Sequence, residues 1–88
     1  MSIQASIQAT QASAQRIFGD DIRMSVARCP AYGCDDCCIL VYGAMHAAAA
    51  RAFAVVMPDA KISEQQGGGY RGGARYVYSV VEFPAAAA

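Results

Sequence analysis

Ile3, Ile7, Thr10, Ala14 and Ile17 recur at spacings of four, three, four and three, which lays them along one face of a helix. Alanine and glutamine fill the intervening positions and favour that state, so residues 2–18 are expected to be helical. Ser2 stands where an N-cap belongs, and Gly19 stands where a helix stops. The first nine residues also alternate apolar with polar, so a strand is the competing expectation there.

Further along, residues 22–28 alternate in part between Ile, Met, Val, Ala and the polar Arg and Ser, which predicts a strand ending at the Cys29-Pro30 break. Asp35 and Asp36 then stand ahead of a long apolar run, as acids that cap a helix do. That run predicts one main helix over residues 37–57. It ends before Pro58, because the residue preceding proline is pushed out of the helical region. Ile39, Tyr42, Met45, Phe53 and Val56 supply its bulk, and Gly43 and Ala47 a small-residue face. Residues 60–66 and 74–83 read as two strands, the second with the best strand composition in the chain. Seven residues with five glycines, 67–73, join them as a hairpin loop. The expected fold class is α+β: an N-terminal helix, then β-α-β-β, with one main helix packed on a small antiparallel sheet. Residues 1–84 form a single domain, and residues 85–88 are an alanine tail.

Composition narrows the function classes. Eighty-eight residues bury only a modest core, and nineteen of them are alanine, which contributes little burial each. Seven basic residues, six of them Arg, balance seven acidic ones. That neutrality argues against strong non-specific nucleic-acid binding and against a polybasic membrane anchor. The N-terminus lacks the charge and the apolar stretch of a secretory signal. The long apolar run contains His46 and Arg51, so a buried helix is expected there and no membrane span. The expected setting is cytoplasmic or virion-associated, which favours reduced thiols.

The four cysteines, Cys29, Cys34, Cys37 and Cys38, fall within ten residues. The first three are spaced C-x4-C-x2-C, and over these nine residues the run resembles the local motif of plant-type ferredoxins. That resemblance implies an iron–sulfur cluster held by thiolates. It departs from the pattern in having no cysteine after Cys38 to act as the distant fourth ligand. Zinc bound by all four is the other metal option, although zinc ligands usually come as two separated pairs. Cys34 and Cys37 also have the spacing of a redox pair, but the two aspartates between them work against a thiolate. A disulfide from Cys29 to Cys34, Cys37 or Cys38 is a further option. Packing is the reading taken forward, since free cysteine is among the most buried residue types; a zinc or iron–sulfur module is the alternative, and no cofactor is expected otherwise.

The glycine loop and the start of the strand after it carry Tyr70, Arg71, Arg75 and Tyr76. It resembles the Arg-Gly-Gly tracts of RNA-binding segments, which implies nucleic-acid contact by stacking and charge, but those tracts act in many copies and this one is single. Tyrosine and arginine are also enriched at protein-binding hot spots. These four residues are therefore the expected partner-binding set, with nucleic-acid contact as the alternative. His46, the only histidine, is expected to be a packed, hydrogen-bonded residue, and no catalytic constellation is legible. The expected function is a small non-enzymatic module that binds another protein, or copies of itself as a homo-oligomer. By size and class alone, it would be an inhibitor of the anti-CRISPR kind or a minor assembly component from a phage or mobile element.

Overall fold

The computed structural model describes residues 3–29, 34–68 and 75–84; within these, the side chains of residues 29, 34–36, 68 and 75 are outside the description. Helix α1 spans Ile3–Phe18, which settles the helix-or-strand alternative in favour of the helix. Its stripe is buried at Ile7, Thr10 and Ala14, whereas Ile3 and Ile17 at its ends are exposed. The buried Thr10 hydroxyl donates to the Ser6 carbonyl one turn back (2.8 Å), so its burial leaves no unpaired donor. Gly19 ends the helix at φ +57°, a left-handed conformation that a residue without Cβ adopts cheaply. The Gln15 side-chain amide donates to the carbonyls of Gly19 (2.8 Å) and Ile22 (3.3 Å), tying that turn down.

Four strands follow, with a second helix between the second and third: β1 Arg23–Cys29, β2 Cys34–Tyr42, α2 His46–Val56, β3 Lys61–Gly68 and β4 Arg75–Glu82. They form one antiparallel sheet in the order β1-β2-β4-β3, so β2 and β4 are central and β1 and β3 are the edges. The α+β class, with its N-terminal helix and small antiparallel sheet, is as expected. Where the main helix begins is not. Residues 37–42 belong to β2, and α2 starts only at His46. Asp35 and Asp36 accordingly lie within β2 and do not stand before a helix. The physical reason lies in the composition: Ile39, Val41 and Tyr42 favour the pleated surface, and the alanine block that favours helix starts after Gly43. Gly43, at φ +109°, turns the chain from strand to helix.

Both helices cover the same face of the sheet. Helix α2 lies against β2, β3 and β4, and α1 lies against α2 and β1. The core between the layers includes Ile7, Ile39, Val41, Phe53, Val81 and Phe83, with the Phe53 and Phe83 rings 5.7 Å apart. Ala49 and Ala50 are fully buried, which lets α2 approach the sheet closely. The helix ends at Val56; the Met57 amide donates to the Phe53 carbonyl (2.8 Å), and Met57, at φ −127° and ψ 88°, has left the helical region before Pro58 as expected.

Candidate partner-binding face

Strand periodicity assigns each residue to a face. Val41 pairs with Met24 and with Ser79, and Ile39 pairs with Val26 and Val81, so these positions look toward the helices. The alternate positions, Cys38, Leu40 and Tyr42 on β2 and Tyr76, Tyr78 and Val80 on β4, look the other way. Among the described residues no helix lies on that second face. The edge strands place Arg23 and Ser25 on one side of it and Lys61, Ser63 and Gln65 on the other. An apolar and aromatic strip on the central strands is thus flanked by polar edges, with Ala27, Gly67 and Glu82 as the exceptions among the described side chains.

At one end of the strip three tyrosines touch. The Tyr42 ring lies 4.9 Å from Tyr78 and 6.0 Å from Tyr76, and Tyr76 lies 5.9 Å from Tyr78, all tilted as aromatic pairs prefer. Burial, and then the neighbouring Tyr76 and Tyr78, push the Tyr42 phenol above the ordinary tyrosine pKa. Tyr76 is half exposed and lies over Gly67, its partner across the β3–β4 ladder. A Cβ at Gly67 would come within 2.6–2.8 Å of the Tyr76 ring, so the bare glycine makes room for it.

Beside the cluster the sheet has a notch. The β2–β4 ladder ends at Val41 and Ser79, whereas β3 stays paired with β4 as far as Arg75. The β3–β4 ribbon therefore projects past the end of β2, leaving an open cleft of about 510 Å³ lined by Arg23, Tyr42, Gly43, Tyr76 and Val77.

Of the expected partner-binding set, Tyr76 joins this cluster. Arg75 opens β4, but its side chain lies outside the described residues, as do Tyr70 and Arg71 altogether. Sequence reasoning missed Tyr42, Tyr78 and Arg23. Reading residues 38–42 as a strand would have found them, because its alternation puts Leu40 and Tyr42 on one face.

The cysteines close the opposite end of the β1–β2 hairpin. Cys29 and Cys34 are paired in the ladder, with their side chains outside the described residues. Cys37 is fully buried and disulfide-bonded, and Cys38 is a buried cysteine outside any disulfide, packed with Ala27, Leu40 and Val80. A sulfur in a disulfide is not a thiolate donor, so the four-cysteine set does not fit zinc or an iron–sulfur cluster in this state. No group of three or more metal-ligating side chains occurs among the described residues.

His46, at the start of α2, reaches Ser79 on β4, with Nδ1 2.6 Å from Oγ. Ser79 has no exposed surface, so this serine–histidine contact is a packed tie between helix and sheet. Among the described residues no helix is long and apolar enough to cross a membrane. No family model, curated protein or solved structure matches this chain.

Proposed function

We propose that this protein is a small non-enzymatic module that binds another protein through the helix-free face of its sheet. The observation that carries the reading is the pattern on that face: an apolar, aromatic centre on β2 and β4 within polar edges on β1 and β3. An antiparallel sheet with one solvated face ordinarily alternates apolar inward and polar outward on all its strands. Protein interfaces show the same division of apolar core and polar rim. Tyrosine also suits the centre of such a contact, because it offers a large amphipathic surface with only two rotatable side-chain angles.

Double substitution Tyr76→Ala/Tyr78→Ala tests the reading. The tagged wild type and variant are purified from the cell the protein comes from and weighed intact by native mass spectrometry. The expected result is a stoichiometric complex for the wild type. In the variant that complex weakens at least about thirtyfold, the roughly 2 kcal/mol of a truncated hot spot, while the variant's thermal unfolding stays cooperative. A complex of equal affinity in both proteins, or none in either, rules the proposal out.

A further inference from the structure

Resting on that reading, the geometry points to the occupant of the notch: we infer that an extended, acidic segment of the partner protein lies along the free edge of β4, with one carboxylate on Arg23. Three observations converge. First, β4 has its β2 neighbour only from Ser79 onward, so at the preceding Tyr76 and Val77 its backbone on that side has no strand partner among the described residues. An extended peptide completes such an edge by main-chain hydrogen bonds. Second, Arg23 lines the notch, and its guanidinium has no hydrogen bond or ion pair to any described residue. Among the described residues no acidic side chain lines the notch with it. A planar guanidinium without an internal partner suits a carboxylate, which it binds through two parallel hydrogen bonds. Third, Tyr42 and Tyr76 form the adjoining wall and supply apolar surface to the segment's flanking side chains. Nucleic acid fits less well, because Arg23 is the one cation among the described residues that line the notch and phosphate recognition draws on several.

The test uses two capped tripeptides, acetyl-Val-Glu-Val-amide and acetyl-Val-Gln-Val-amide, with oligouridylate as a third probe. Binding is followed through the backbone amide resonances of the intact chain. The Glu peptide is expected to shift Gly43, Tyr76 and Val77 and to bind about fivefold more tightly than the Gln peptide, the upper range for an exposed ion pair. Arg23→Gln is expected to abolish that difference without lowering the unfolding temperature. Equal binding of the two peptides by the wild type overturns the inference. So do shifts confined to other strands, or tighter, salt-sensitive binding of oligouridylate. Should the peptides fail while Tyr76→Ala/Tyr78→Ala still loses the native partner, the notch assignment falls and the binding face stands.

Discussion

Replacing Gly43 with alanine is expected to be the most damaging small substitution in the chain, and its cost can be worked from two terms. Gly43 has φ +109°, where any residue with a Cβ is strained by about 1–3 kcal/mol. Its added methyl would overlap the Asp21 carbonyl oxygen and come within 2.9 Å of the Asp21 carbonyl carbon and of Ile22 Cα. These are backbone atoms, so relief requires the β1 entry to move, and overpacking of that kind costs about 1–3 kcal/mol more. The same turn anchors α2, because the Met45 amide donates to the Asp21 carbonyl (3.3 Å) and the His46 amide to the Gly43 carbonyl (3.2 Å). The total, about 2–6 kcal/mol, is a large share of a small domain's 5–15 kcal/mol. Thermal unfolding followed by far-ultraviolet circular dichroism should show Tm falling by roughly 8 °C or more. Gly67→Ala is the internal control. Its methyl meets only the Tyr76 ring, which can swing aside, so stability should change by less than about 1.5 kcal/mol while the near-ultraviolet tyrosine signal changes. If Gly43→Ala proves as mild as Gly67→Ala, the reasoning about this turn is wrong.

The other predictions concern single groups. Ser79→Ala removes the partner of His46 Nδ1 and should cost about 1–3 kcal/mol in urea unfolding; a change under about 0.5 kcal/mol would show that the contact is idle. With Cys37 in a disulfide, two of the four cysteines are joined, so the denatured, unreduced chain should react at no more than two thiols. Reduction should then lower stability by about 2–4 kcal/mol, and four reactive thiols before reduction would contradict the bond. The folded pKa of Tyr42 is raised above its unfolded value, so the stability it contributes is fully present below the ordinary tyrosine pKa. That stability is lost as pH rises through the folded value. Tyrosinate absorbance should therefore show an ionisation above the ordinary tyrosine pKa, and Tyr42→Phe should remove that late step; a variant with an unchanged titration would refute the assignment.

How much of this was legible in the sequence turns on residues 37–42. Helix α1, its glycine stop, β1, the end of α2 before Pro58 and the β3–β4 hairpin all carried local signals: a 3.6-residue stripe, turn glycines, a proline, and β-branched runs. Residues 37–42 carried an ambiguous one. All six are apolar or aromatic, and a run of that kind reads equally as a buried strand or as the start of a buried helix. The alanines from residue 44 onward tilted the reading toward helix. The cysteine pairing was equally out of reach, because a disulfide depends on which sulfurs the fold brings together and spacing alone leaves several connectivities open.

The ambiguity of that run is itself informative about function. A central strand with one face against helices and the other against water should alternate, and its polar positions would have revealed it as a strand. In β2 the alternation is missing because Cys38, Leu40 and Tyr42 are apolar or aromatic on the face that no helix among the described residues covers. Strand β4 repeats the departure at Tyr76, Tyr78 and Val80 on the same face, while the edge strands keep Arg23, Ser25, Lys61, Ser63 and Gln65 outward. Core packing against α1 and α2 does not account for the second face, since those side chains point away from both helices. An apolar strip aligned across two strands far apart in sequence, bounded by polar edges, is what a sheet needs if that face is to be covered by a partner. The pattern that hid β2 as a strand is therefore the same one that makes its outer face the place to look for binding.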